Sequence, residues 1–383
     1  MEMKAADSLL WKLLVFLAAM IATMQMFALD GLVSGLFLLT FPVTALLWLR
    51  TVRQRLSGND LLVLLTVALA ALSVLLDLAL SGGSLGFDYL KKCIMFAMTL
   101  LLFQAASRYR AEKRLLCFIG AMADGLTVLF AAMFCLQNER MHSLNGQVTA
   151  YLTFGFTNPN LATLFLTMLY MLQLCRVRGR RKWWHVAFAA VLLYFMVLTR
   201  SRNALLTVTV FTVWAFFARK RENVRIGSCV APLIAWLPAI FALVYMAVVS
   251  QEPVRLLFAF LSGEGKTLDA RVEVWQRALS AVWTSPLWGS YYAISDGIGM
   301  SQMHNSHLDI AASYGIPVLI LVCVLLARWL RQGRGRYMIG FACALLLGLG
   351  EAAVFSGGLG IYIFAGLFLL LAKGEKDEDR IFE

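Results

Sequence analysis

Long apolar segments, separated by short polar ones, fill the whole chain. Runs such as "LLVLLTVALAALSVLL" and "VAFAAVLLYFMVL" approach the ~20 residues that a helix needs to cross the hydrocarbon core of a bilayer. The pattern predicts an all-α polytopic membrane protein, with residues 1–383 forming a single integral membrane domain. The twelve predicted spans are residues 9–29, 31–49, 60–80, 89–107, 115–136, 158–175, 183–199, 203–218, 226–249, 305–327, 337–353 and 356–372.

Basic residues cluster in alternate connections between these spans. The clusters are "RTVRQR" after the second span, "RYRAEKR" after the fourth, "RVRGRRK" after the sixth, "RKRENVR" after the eighth and "RWLRQGRGR" after the tenth. Short loops rich in Lys and Arg stay in the cytoplasm. A count of twelve places every cluster on that side, so both termini are predicted to be cytoplasmic. Topology then explains the net charge of +12, and no nucleic-acid partner is expected.

The remaining composition fits a protein embedded in a lipid bilayer. Apolar residues make up 61% of the chain and charged residues only 15%, unlike a soluble domain. The first apolar run lacks a small-residue cleavage site and is followed at once by another span, so we interpret it as a transmembrane helix. The seven cysteines lie in apolar runs without CxxC spacing, which predicts neither disulfides nor a metal site.

The external side has two longer segments, residues 137–157 and 250–304, and the second has room for a small subdomain. Within it, "LDARVEVWQRALSAVW" has helical periodicity. Glu273 and Arg277 are predicted to form a solvated pair opposite the apolar stripe, whereas Arg271 lies at the edge of the stripe. We expect this helix to lie against the membrane surface or to cap the spans. The stripe consists of Leu268, Val272, Trp275, Leu279, Val282 and Trp283.

A few external basic residues run against the orientation rule and invite a separate explanation. Arg200 and Arg202, in "LTRSRNALL", are explained either by anchoring at the membrane interface or by binding an anion. Together with Arg271, Arg202 would offer two planar guanidinium groups that match phosphate oxygens. The full set is Lys91, Lys92, Arg140, Arg200, Arg202, Arg255, Lys266, Arg271 and Arg277.

The stretch "MHNSHLD" opens the tenth span on the same side. His304 is a candidate general base, and the alternative is a polar residue that bonds backbone at a helix start. His304 and His307 could form half a zinc site, but no HExxH or CxxC motif completes it, so no metal is predicted. Asn305 or Ser306 can cap the helix, and Asp309 in its first turn suits the helix dipole.

Three ionisable residues, Asp77, Asp124 and Glu351, fall inside the predicted spans. Such residues suggest a function by default, although a buried ion pair with Lys91 or Lys92 would also explain them. The sequence has no external DxD motif, Walker loop or GxGxxG that follows a strand. No nucleotide or other cofactor is therefore expected.

Four blocks taken together resemble the O-antigen ligase and O-antigen polymerase family of bacterial membrane glycosyltransferases. They are "FGFTNPNLATLFL" (154–166), "LTRSRNALL" (198–206), "DARVEVWQRALSAVWTSPLWG" (269–289) and "HNSHLDIAASYGIPVLI" (304–320). The resemblance covers residues 154–330, a ligase- or polymerase-like core. The external loop of residues 250–304 lies within that core, whereas residues 1–150 match only in hydrophobicity.

The resemblance implies a metal-independent, inverting enzyme in the bacterial cytoplasmic membrane. Such an enzyme moves a glycan from an undecaprenyl-pyrophosphate carrier to a hydroxyl of a glycan or lipid-linked acceptor on the external face. By motif position, His304 would be the base, and Arg202 and Arg271 would hold the pyrophosphate. Further candidate substrate-site residues are Arg200, Asn158, Asn160 and Asn305. The sequence departs from the family pattern at Asn203, where a small residue is usual, at His307, where an aromatic residue is common, and in "SYYAISDGIG".

Alternatives remain open at this point. Ligation of a finished polymer and polymerisation of repeat units need the same groups, so the sequence does not separate them. A twelve-span secondary transporter could use Asp124 and Glu351 for proton coupling, although the two halves of the chain do not repeat one another. A peptidoglycan polymerase of the shape–elongation–division family shares the lipid carrier, but its C-terminal motif is not recognised in "SGGLGIYIF".

Overall fold

The computed structural model describes residues 3–81, 87–136, 140–144, 147–156, 159–177, 182–199, 201–218, 224–249, 251, 267–290, 303–351, 354–355 and 360–373. These residues are mainly helical. The helices are α1 Ala5–Met26, α2 Asp30–Gln54, α3 Gly58–Ser81, α4 Phe87–Ala106, α5 Lys113–Leu136, α6 Pro159–Cys175, α7 Lys182–Leu198, α8 Arg202–Ala218, α9 Val230–Val249, α10 Thr267–Thr284, α11 Ser306–Gln332, α12 Gly335–Leu346 and α13 Ile361–Leu371. A 3-10 helix, Leu347–Leu349, continues α12.

The prediction of an all-α polytopic membrane protein is confirmed. Each predicted span coincides with an apolar helix, and α10 is the helix expected in the external loop. Seven of these helices are long and apolar enough to cross a membrane, namely α1 to α5, α9 and α11, and five are shorter. The seven support a multi-pass protein, whereas twelve crossings remain a prediction.

One element was not predicted, an antiparallel hairpin in the connection between α5 and α6. Its strands are β1, Arg140–Leu144, and β2, Gln147–Tyr151. The register pairs Leu144 with Gln147, and the sequence between them is Asn-Gly. This dipeptide is a strong hairpin signal because both residues tolerate the positive φ of a tight two-residue turn.

The centre of the bundle is formed by the two shortest apolar helices rather than by the longest ones. Every residue of α13 is buried, and α12 is buried from Tyr337 to Leu345. They pack on each other, with α13 against α1, α4 and α6, and α12 against α6, α8 and α9. By contrast, α3 exposes leucines along most of its length, which is expected of a helix that faces lipid.

The bundle has two chemically different ends, which we call the arginine end and the histidine end. The arginine end carries Arg50, Arg108 and Arg176, each paired with an aspartate. The histidine end carries His304 and Glu351. Helix α11 connects the two ends over about 30 Å, because it begins beside His304 and its Trp329 donates to Gln104 at the arginine end.

The arginine end is held by buried carboxylates that are fully engaged. Asp60, which has no exposed side-chain surface, accepts from the Arg108 guanidinium at 2.6 Å, the Gln104 amide at 2.8 Å and the Ser57 backbone N–H at 2.7 Å. In the connection after α4, burial and the nearby Asp7 carboxylate raise the pKa of the Tyr109 hydroxyl, which therefore stays neutral.

Helix α11 is broken near its start. Gly315 has φ +86°, which only glycine adopts readily, and Pro317 follows it. The break separates a short first section, Ser306 to Tyr314, from the longer remainder of the helix. The first section carries the histidine end of the molecule, so the geometry of the break fixes where the candidate site lies.

Candidate active site at the histidine end

Three helix starts meet around one short segment at the histidine end. Helices α6, α8 and α11 begin there, and the segment is the 3-10 helix with the two residues that follow it, residues 347–351. Side chains from all three starts bond to this segment. Residues that are far apart in the sequence, in the blocks beginning at 154, 198 and 304, are therefore neighbours.

Glu351 connects two of the predicted site residues. One of its carboxylate oxygens lies 3.1 Å from Nδ1 of His304, and the other accepts from the Asn160 side-chain amide at 3.0 Å. A carboxylate only accepts hydrogen bonds, so Nδ1 of His304 carries the proton in this contact. The carboxylate thereby selects the tautomer in which Nε2 of His304 has a free lone pair, which is the arrangement a general base requires.

The backbone and exposure of His304 also set it apart. Its φ of +49° places it in the left-handed region, which few residues other than glycine occupy. Its side chain is 30% exposed, and among the described residues Nε2 has no hydrogen-bond partner. Strained conformations of this kind cluster at functional sites, where the surrounding structure holds them in place.

The amide of Asn305 supplies much of that support. It is fully buried; its oxygen accepts from the backbone N–H groups of His307 and Leu308, and its nitrogen donates to the Pro238 and Leu349 carbonyls. The prediction that Asn305 or Ser306 caps the helix is confirmed for Asn305. Because the whole amide is engaged, Asn305 has the geometry of a positioning residue.

Asn203 and Ser306 bind the same segment from the other helices. The Asn203 amide donates to the Leu347 carbonyl at 2.9 Å, and the Ser306 hydroxyl donates to the Glu351 carbonyl at 3.2 Å. In the sequence, Asn203 stands out only as a departure from the family pattern. In the structure it links the start of α8 directly to the segment that ends in Glu351.

The predicted arginines occupy different positions around this centre. Arg202 is exposed and is the first residue of α8, adjacent to Asn203. Arg271 lies in α10, four residues before Trp275, whose indole N–H donates to the carbonyl of Met303 at 2.8 Å. Both backbones are thus within one helical turn of residues that touch the site. The Arg271 side chain, Arg200 and Asn158 lie outside the described residues.

His307 and Asp309 are engaged by partners other than His304 and Glu351. His307 is buried, and its Nε2 donates to the Ala235 carbonyl of α9 at 2.7 Å. Asp309 forms a buried ion pair with Lys92 at 2.8 Å. Among the described residues, no group of three or more metal-ligating side chains forms.

The two intramembrane carboxylates considered for proton coupling lie far apart. Asp124 accepts from Arg176 at 2.6 Å and from Gln173, both near the end of α6, whereas Glu351 bonds to Asn160 at its start. The two ends of α6 are about 24 Å apart. Asp124 and Glu351 therefore belong to separate sites.

The part of the chain that contains Arg202 and His304 is similar to a known family. Residues 186–323 match the family model Wzy_C, described as O-antigen ligase. The match includes the blocks at 198–206, 269–289 and 304–320 but not the one at 154–166. No curated protein matches the chain.

The fold and the match define a multi-pass membrane protein with a glycosyltransferase-like function. Within that class, the predicted resemblance to the O-antigen ligase family is confirmed, because residues 186–323 match the O-antigen ligase family model. Resemblance to this family implies a lipid-linked glycan as substrate.

Proposed function

We propose that this protein transfers a glycan from an undecaprenyl-pyrophosphate carrier to an acceptor hydroxyl at the histidine end, on the external face of the bacterial cytoplasmic membrane. The observation that carries the proposal is the contact of His304 with Glu351. It gives a partly exposed imidazole a fixed tautomer at the point where the family blocks converge. The basic connections at the opposite end support the sidedness.

In this reaction the acceptor oxygen attacks the anomeric carbon of the carrier-linked sugar as the carbon–oxygen bond to pyrophosphate breaks. The electron pair of the broken bond leaves with the pyrophosphate, and the acceptor proton passes to Nε2 of His304. Attack opposite the leaving group inverts the anomeric centre. Glu351 stabilises the imidazolium that forms, because its carboxylate already contacts Nδ1.

Arg202 and Arg271 would bind the pyrophosphate. Negative charge grows on this group as it leaves, and fixed guanidinium groups stabilise that charge without reorganisation. The exposure of Arg202 at the start of α8 supports this role, since a helix start also favours anions through its unsatisfied N–H groups.

The test uses the full chain, reconstituted into vesicles with an undecaprenyl-pyrophosphate-linked oligosaccharide and an acceptor. The wild-type chain should transfer the glycan. His304→Ala and Arg271→Ala should each lower the rate by at least about 100-fold, because each removes a group that acts in the transition state. Arg277→Ala is the matched control, since Arg277 lies on α10 in an exposed pair with Glu273 and should leave transfer unchanged.

Transfer that persists at the wild-type rate in His304→Ala would refute the proposal. The products also separate the two forms of the reaction. A ladder of lengths indicates polymerisation, and a single addition to a different lipid-linked acceptor indicates ligation.

A further inference from the structure

The turn that follows α10 contacts α11 at the break in that helix rather than at its start. The backbone N–H of Ser290 donates to the Ala312 carbonyl at 2.7 Å, and the N–H of Ile316 donates to the Pro286 carbonyl at 2.8 Å. These contacts lie at the break in α11, below its nine-residue first section, which spans about 13 Å.

A contact with helix α3 places the break in α11 at a similar distance from the histidine end of the bundle. Its Ser73 hydroxyl donates to the Tyr314 carbonyl at 3.0 Å, at the level of the break. Ser73 lies eight residues before the end of α3, so it is about 12 Å below that end. At this level α3 exposes Leu72 and Leu75, as a lipid-facing helix does. About 12 Å is well inside the leaflet, because half of the hydrocarbon core is about 15 Å.

The hydrogen bonds between the turn and α11 are of the kind that backbone inside a bilayer requires. Unpaired N–H and C=O groups are costly in hydrocarbon, so irregular backbone occurs there only where its polar groups are satisfied within the protein. Here the turn and the broken helix satisfy each other. Their backbones touch so closely that a Cβ on Gly315 would lie 2.4 Å from the Leu287 carbonyl oxygen, and one on Gly289 would lie 2.5 Å from that of Ala312.

Two large apolar side chains face outward from this deep element. Trp283 is 77% exposed and Leu287 is 63% exposed, whereas Trp275, Ala278 and Val282 of α10 are buried against the bundle. Only part of the apolar surface of α10 therefore packs against the bundle. The exposed part includes Trp283 and continues onto Leu287 in the turn.

We propose that α10 and the turn of residues 285–290 form a re-entrant element that enters the leaflet at the histidine end, where Trp283 and Leu287 contact the hydrocarbon chains of bilayer lipids. The occupant of this surface is bilayer lipid because the surface is apolar and lies at the depth of the exposed leucines of α3. The proposal does not depend on glycan transfer, so either can fail without the other.

The test places single cysteines in the full chain, reconstituted into phosphatidylethanolamine–phosphatidylglycerol vesicles. Leu287→Cys and Trp283→Cys report on the re-entrant surface, and Gln276→Cys, exposed on the polar side of α10, is the control. A membrane-impermeant maleimide should label Cys at 276 at least tenfold faster than Cys at 287 or 283. Labelling of the unsubstituted chain gives the background from its seven native cysteines.

A second measurement distinguishes lipid from protein contact. A fluorophore attached at 287 or 283 should be quenched by nitroxide-labelled lipids, and one at 276 should not. Equal labelling rates, or protection without quenching by lipid, would overturn the proposal. Trp283→Cys guards against misfolding, because a side chain that is 77% exposed contributes little to packing.

Discussion

Carboxylates at the two ends of the bundle have opposite surroundings. At the arginine end, Asp7, Asp60 and Asp124 each contact an arginine, so their charge is neutralised within the protein. At the histidine end, Glu351 contacts a neutral amide and an imidazole, neither of which carries a permanent charge. An aspartate–arginine pair holds helices together, whereas a carboxylate in contact with an imidazole can stabilise the positive charge that forms when the imidazole takes up a proton. The comparison therefore predicts that the aspartates at the arginine end stabilise the fold and that Glu351 takes part in glycan transfer.

The largest expected effect is that of Glu351→Gln. The amide keeps the shape of the side chain but can no longer stabilise an imidazolium at His304, so kcat for glycan transfer should fall by about 100-fold or more. Asp124→Asn is the counterpart at the arginine end, and its kcat per folded molecule should remain near wild type. Similar losses of kcat in both variants would show that the two ends do not differ in their contribution to glycan transfer.

Asp60→Asn should show the reverse behaviour. It breaks a buried ion pair with Arg108 and leaves that guanidinium without its carboxylate, which should cost about 3 kcal/mol of unfolding free energy. Thermal unfolding in detergent measures the loss, and transfer by the folded fraction should not change. A stable but inactive Asp60→Asn protein would contradict the prediction that the arginine end stabilises the fold without taking part in transfer.

Gly315→Ala tests the break that positions the histidine end. The new Cβ would require a positive φ and would overlap the Leu287 carbonyl, so the variant should lose about 2 kcal/mol of stability. Gly125→Ala is the matched control, because Gly125 lies in α5 with open space around it. An unfolding temperature for Gly315→Ala as high as that of Gly125→Ala would show that the contact contributes little.

The smallest expected effect is that of Asn203→Ala, which removes one hydrogen bond to the segment ending in Glu351. A loss of about 1.4 kcal/mol corresponds to a tenfold lower kcat, with KM unchanged because Asn203 positions the site rather than binding substrate. Asn59→Ala removes an exposed bond to Arg328 at the arginine end and should have no effect on transfer. A change confined to KM would instead place Asn203 in substrate binding.

Helix positions were predictable because span length is fixed by bilayer thickness, and they agree to within a few residues for α6 and α8. Which helices lie at the centre of the bundle and which face lipid was not predictable from the sequence. The central helix α13 and the exposed side of α3 are equally apolar, since lipid and protein interior both favour the same side chains. For the same reason, the apolar stripe predicted for α10 included Trp283, which the structure exposes, and omitted Val274, Ala278 and Ala281, which it buries.

The candidate site was only partly predictable. His304 and Arg202 were predicted as site residues because they interrupt apolar runs on the predicted external side, and these roles remain predictions. The pairing of Glu351 with His304 was not predicted, and neither was the ion pair of Lys92 with Asp309. Contacts between residues so far apart in sequence depend on how helices pack, and no local periodicity records them. The hairpin, by contrast, had a local signal in Asn145–Gly146.

The position of Glu351 between α12 and α13 has a consequence for biosynthesis. These two helices are the last that the ribosome produces among those described, yet they occupy the middle of the bundle. The contacts that earlier helices make with this pair can therefore form only after the pair has been synthesised. A nascent chain that already contains His304 still lacks the carboxylate that contacts this residue in the folded protein.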